Sequence, residues 1–179
     1  NFTIPITTPF ALTGSATDPE GDPITYNWEQ NDVPSSFSNA ASIASPTKTT
    51  GPNFLSFPST TSPTRLFPRL TTILAGQAVT GPLPGGDSGV NIEALSSVSR
   101  TLNFRLTVRD NRPYVPGSTI GQTQFTNTVI TVSNAGGPFK VTTGNSAVTW
   151  PANSSQTVTW DVANTAGAPF NTANVKISM

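Results

Sequence analysis

The sequence predicts an all-β protein organised as an antiparallel β-sandwich, and three observations carry that prediction. No run of about eleven or more residues holds an apolar stripe at helical spacing. Several short runs instead alternate apolar and polar residues with period two, the pattern of half-buried strands. Proline, glycine, serine, threonine and asparagine separate those runs at short intervals.

Taken in order, Phe10, Leu12, Gly14 and Ala16 share one face of a first strand that enters the acidic turn from Thr17 to Pro23. Ile24, Tyr26 and Trp28 take one face of the next strand, with Thr25, Asn27 and Glu29 on the other. Residues 98–109 read most clearly: Val98, Leu102, Phe104, Leu106 and Val108 point inward, and Thr101, Asn103, Arg105, Thr107 and Arg109 point outward. Arg100 is grouped with Arg105 and Arg109 as an outward basic stripe, with a solvated face as its default role. A partner strand follows at 122–133. Its apolar positions change parity between Phe125 and Val129 on one side and Ile130 and Val132 on the other, which predicts a bulge or a strand buried on both faces.

Residues 33–97 carry eight of the 17 prolines, so this stretch is predicted to be an insertion of loop, turn and short edge strand. A structureless loop of that length does not suit a compact domain. Phe54, Leu55, Phe57, Leu66, Phe67, Leu70 and Leu74 are expected to pin it across the sandwich, and the Gly/Pro run at 81–86 to be its most mobile part. The run from Asn134 to Pro138 reads as a junction. After it, Phe139 and Val141, Val148 and Trp150, Val158 to Val162, and Val175 with Ile177 restart the strand rhythm. The expected domains are therefore 1–134, with the insertion 33–97, and 135–179, the N-terminal part of a second β-domain too short for a sandwich of about 100 residues. The chain begins at Asn1 and ends after a strand-like run, and reads as a piece of something longer.

Composition excludes several functions. Nine basic residues balance nine acidic ones, so no basic field is present to condense on nucleic acid or anionic lipid. No segment approaches the roughly 20 consecutive apolar residues that span a bilayer. Without cysteine or histidine there is no disulfide, thiolate nucleophile, sulfur-ligated zinc or imidazole base. Serines have only Lys48, Lys140 and Lys176 as amine partners, and no Ser–Lys pair is legible. A paired-carboxylate glycosidase would need a cleft and separated pKa values that a tight turn does not provide. Low charge and abundant Thr, Ser, Asn, Pro and Gly suit a secreted, extracellular bacterial protein. Asn1 to Thr3 and Asn153 to Ser155 fit the N-glycosylation pattern, which carries little meaning in such a chain.

Of the nine acidic residues, three stand within five positions: Asp18, Glu20 and Asp22. In a sandwich of immunoglobulin type, this turn and the loop at Asp110 and Asn111 leave the same pole. Asp18, Glu20, Asp22, Asp110 and Asn111 are thus the candidate metal ligands. They suit calcium, which takes six to eight hard oxygens at about 2.3–2.6 Å, better than the stricter magnesium. The other reading is a plain turn, with proline fixing φ, Gly21 left-handed and aspartates capping backbone N–H groups. Trp28, Trp150 and Trp160 can be read as a sugar platform, although Trp28 and Trp160 lie in phase with core neighbours.

The stretch from Gly14 to Gln30 resembles PKD-like and cadherin-like extracellular modules. Together with Arg65 to Pro68, Ser99 to Asn111, Gly137 to Phe139 and Gln156 to Thr165, it resembles the region downstream of the catalytic domain in secreted reprolysin-like zinc metallopeptidases of Bacteroidetes type. The peptidase helix with its histidine ligands has no counterpart here, so no zinc site is implied. The resemblance implies a non-catalytic accessory or spacer module of an exported metallopeptidase, with aspartates before the strand as calcium ligands and the parent catalytic domain as partner. The competing expectation is an extracellular binding module that takes polysaccharide or protein on residues 33–97, since loops on a rigid scaffold often carry recognition.

Overall fold

The computed structural model describes residues 1–36, 42–82, 90–143 and 147–175. Among these residues the fold is all-β apart from one five-residue helix and a helical position at Ser42. Ten strands are formed: β1 Phe2–Pro5, β2 Phe10–Thr13, β3 Thr25–Gln30, β4 Thr64–Phe67, β5 Val79–Thr80, β6 Glu93–Ala94, β7 Arg100–Arg109, β8 Thr123–Ser133, β9 Lys140–Val141 and β10 Trp160–Asp161, with α1 at Leu70–Leu74. The principal sheet has the order β1-β8-β7-β3. β3 and β8 flank β7 antiparallel, and β1 joins the end of β8 in parallel. The ribbons β2-β4, β5-β6 and β9-β10 complete the described pairings. Among the described residues no helix is long and apolar enough to cross a membrane.

β7 is the centre of the fold because both its edges are paired and its alternation is nearly complete. Leu102, Phe104 and Leu106 are buried, while Thr101, Asn103 and Arg109 are exposed. Phe104 meets Phe67 from β4 at 4.8 Å between ring centroids, and Phe67 stacks on Phe10 from β2 at 5.0 Å. Phe54 closes the group edge-on to Phe67 at 5.1 Å. Aromatic pairs in such geometries add about 0.5–1.5 kcal/mol each beyond burial. This cluster holds β2 and β4 over the inner face of the sheet.

Two expectations about that sheet are corrected. Arg100 is not part of an outward stripe: it has the parity of Leu102 and Phe104, and it is buried. It reaches inward, donates to the carbonyls of Lys48 at 2.9 Å and Gly51 at 2.7 Å, and stands 3.7 Å from Asp32. Burial lowers its pKa, with Asp32 opposing. The parity change in β8 is not a bulge, because the register with β7 runs unbroken from Arg100↔Val132 to Arg109↔Thr123. Nor is the strand buried on both faces: Phe125 is exposed, with the Arg105 guanidinium 4.3 Å over its ring. The inner face turns polar at Gln124 and Thr126 because it lines an open cavity there rather than the core.

Residues 33–97 are held less by aliphatic contacts than by buried polar bonds. Phe54 and Phe67 enter the core as expected, but Leu55, Leu70 and Leu74 are exposed. Glu93 is 0 % exposed and takes the central position instead. Its carboxylate accepts hydrogen bonds from Arg65 Nη2 at 3.1 Å, the Arg69 backbone N–H at 2.9 Å and the Thr80 hydroxyl at 3.0 Å. Arg65 also donates to the carbonyls of Trp28 and Leu55, both at 2.6 Å, which ties β4 to β3. Burial lowers the Arg65 pKa, and its hydrogen bond to Glu93 opposes that fall. A second tie runs through Gln30, which accepts the backbone N–H of Asn53 at 2.7 Å. The expected mobile run at 81–86 falls largely outside the described residues.

After Ser133 the described residues form only the β9-β10 ribbon, two residues on each side. A ribbon that short cannot bury a face. Val141, Val148, Trp150, Val162 and Val175 are all exposed. Trp160 was expected in a core and is 37 % exposed for the same reason. Val148, Trp150 and Val175 lie outside strands, and Ile177 lies outside the described residues.

Two substitutions compare the apolar and polar ties. Phe67→Ala is expected to cost about 3–5 kcal/mol in urea unfolding, the range for a buried aromatic. Glu93→Ala is expected to cost a similar 3–5 kcal/mol, because it leaves two guanidinium groups without their buried counter-charge. A Glu93→Ala loss under about 1 kcal/mol would assign the closure to apolar packing alone.

Candidate functional site at the acidic pole

The pole opposite the β7 N-terminus is built from two loops, residues 14–24 between β2 and β3 and residues 110–122 between β7 and β8. Chain direction brings them together: Thr25 at the start of β3 pairs with Arg109 at the end of β7. In the first loop, Asp18 Oδ1 accepts the backbone N–H groups of Glu20 at 3.0 Å and Asp22 at 2.9 Å. Gly21 at φ +81° supplies the left-handed step that closes this turn. In the second loop, Asp110 Oδ1 accepts the N–H of Gln122 at 2.9 Å and of Arg112 at 3.2 Å, closing the hairpin on itself.

The loops are tied to each other at two points. Asn111 Nδ2 donates to the Pro23 carbonyl at 2.9 Å, and Arg112 Nη1 meets Asp22 Oδ2 at 3.0 Å. The sequence reasoning missed Arg112. Its one signal is position, a cation two residues beyond Asp110 in the loop expected to meet the acidic turn. Between the loops and the inner face of the sheet lies an open cavity of about 740 Å³. Asp18, Glu20, Asp110, Arg112 and Gln122 stand on its walls, with Leu106 and Val108 among its apolar lining.

All five predicted ligands therefore lie at one pole, but their contacts are those of turns and loop closure. Asp18 and Asp110 accept backbone N–H groups, Asp22 faces Arg112, and the Asn111 Oδ1 accepts the Thr25 hydroxyl at 3.3 Å. The Glu20 side chain is exposed and has no partner among the described residues. Among the described residues no group of three or more acidic side chains is gathered as a shared metal would require. A cation would have to displace Arg112 from Asp22 and draw Glu20 inward.

Compared with protein families, curated proteins and solved structures, the chain matches none.

The Asp22–Arg112 pair is only partly shielded, so it carries little of the global stability. Arg112→Ala is expected to lower unfolding free energy by about 1 kcal/mol or less. The same change is expected to speed amide hydrogen exchange at residues 18–24 and 110–122, since it removes one of the two loop ties. Unaltered exchange there would mean that Asn111 alone holds the loops together.

Proposed function

We propose that the chain is a non-catalytic accessory module of an exported protein. The reading takes residues 1–134 as an immunoglobulin- or PKD-like sandwich with 33–97 inserted, and 135–179 as the first part of a second β-domain. The observation that carries it is the use of the ionisable side chains. Glu93, Arg65, Arg100, Asp32, Asp22 and Arg112 are all engaged in joining one segment of backbone to another. Lys48, whose pKa burial lowers with Arg100 adding to the effect, donates to the carbonyls of Pro52 and Ile43. Such groups brace a scaffold. Read with the resemblance to the region downstream of a secreted metallopeptidase domain, the module spaces or positions that catalytic domain as its partner.

Calcium enters this proposal as a brace for the acidic pole, held by Asp18, Glu20, Asp22, Asp110 and Asn111 once Arg112 has given way. The polysaccharide form of the binding alternative for residues 33–97 has less support, because Phe54 and Phe67 are buried and Phe57 is half-buried. No exposed aromatic row is left there among the described residues to stack on sugar.

Two measurements test the proposal. Millimolar calcium is expected to raise Tm by several degrees over a chelator control, as binding to the native state alone at about 100 times Kd stabilises by about 2.7 kcal/mol. An unchanged Tm removes calcium from the proposal and leaves the spacer. The purified chain is expected not to cleave labelled casein. Cleavage that stays with the 179-residue chain through purification would overturn the non-catalytic reading.

A further inference from the structure

Arg69 stands apart from the other arginines of the interior. Its backbone N–H is bound to Glu93, but its guanidinium donates no hydrogen bond among the described residues, and its Nε is buried without a partner. The nearest anionic atom is Glu93 Oε2, 3.7 Å from that Nε. Glu93 Oε2 already accepts from Thr80 and the Arg69 N–H, and Oε1 accepts from Arg65. One carboxylate thus faces two guanidinium groups, of which only Arg65 is hydrogen-bonded to it. The Arg69 side chain is 34 % exposed and rests with its guanidinium carbon 4.7 Å from the centre of the Phe57 ring.

Arg69 forms part of the wall of an open cleft of about 300 Å³ between β3 and residues 57–70. Tyr26 and Asn27 of β3 also border the cleft, their side chains on opposite faces of the strand. A half-shielded guanidinium with unused donors is a site for an anion. The planar fork of a guanidinium matches a carboxylate in a bidentate pair, and partial desolvation strengthens that pair. Glu29 is the other carboxylate whose charge reaches this region; it stands opposite Arg105 in the β3–β7 ladder and does not line the cleft.

We propose that this cleft binds a carboxylate presented by an acidic side chain of a partner polypeptide. The volume is at the small end for a ligand pocket, which suits one side chain rather than a chain of sugar rings. Phe57 also offers no free platform for a pyranose, since both Arg65 and Arg69 lie 4.7 Å from its ring centre. The inference goes beyond the accessory role and does not involve the acidic pole.

The test is a titration of the ¹⁵N-labelled chain with a short peptide carrying one central glutamate, its ends blocked. Saturable shifts are expected at the amides of Tyr26, Asn27 and Leu70 and at the Arg69 Nε–H. The glutamine version of the peptide is expected to produce none. Arg69→Met is expected to weaken binding about tenfold or more, the loss that goes with a charge-assisted pair. Should that variant lose its amide dispersion, Arg69→Lys decides instead, with a loss of several-fold expected because an ammonium cannot form the bidentate pair. No response to the glutamate peptide, an equal response to the glutamine peptide, or undiminished binding in the variant that folds would overturn the proposal. Tighter binding of polygalacturonate than of the peptide would overturn the polypeptide assignment.

Discussion

The structure depends on one buried carboxylate. Glu93 lies wholly out of water and is neutralised from one side by Arg65, with Arg69 close behind. A buried ion pair is not in general a large net source of stability, but removing one partner is costly. The network therefore acts as a constraint on geometry more than as a reservoir of energy. Once Glu93 is enclosed, β4, β6, the start of α1 and the carbonyls of β3 must all lie within hydrogen-bonding distance of the same few side chains. That condition brings a proline-rich stretch of the chain down onto the sheet, where loop entropy alone would leave it open.

The aromatic cluster and the charged network are neighbours and support each other. Arg65 lies 4.6 Å from the centre of the Phe67 ring, so the same guanidinium that meets Glu93 also covers the centre of the core. Phe67 in turn joins Phe10 of β2 to Phe104 of β7. Buried polar groups raise the cost of wrong pairings because a displaced partner leaves an unsatisfied charge behind. Where the described pairings outside the principal sheet are only short ribbons, this supplies register that strand pairing alone would leave loose.

The two ends of the charge distribution behave differently for the same electrostatic reason. At Glu93 the dielectric is low, and opposite charges are held in fixed geometry. At the acidic pole the carboxylates are close to water, and their repulsion is eased by backbone N–H groups and by Arg112. The first region sets shape. The second leaves Glu20 exposed on the wall of an open cavity.

Much of the strand framework was legible in the sequence because period-two patterning is a local property. Residues 98–109 and 122–133 give β7 and β8 nearly to their ends, and the phase of Trp28 places it in the core. The meeting of the acidic turn with Asp110 and Asn111 also followed from strand order. Arg100 shows the limit of that reasoning: its phase pointed inward, but its charge argued for solvent, and only the carbonyls of Lys48 and Gly51 make burial tolerable. β1, α1 and the Glu93 network left no periodic signal, since each depends on partners far along the chain. Trp160 has the phase of a core residue but lacks the layer that would cover it. By itself the sequence determined the all-β class, the central strands and the pole at which the acids gather, because neighbouring residues set pleat and turn. Only the tertiary structure decided which charges are buried and what pairs with them, because desolvation and hydrogen bonding are settled by contacts between distant segments.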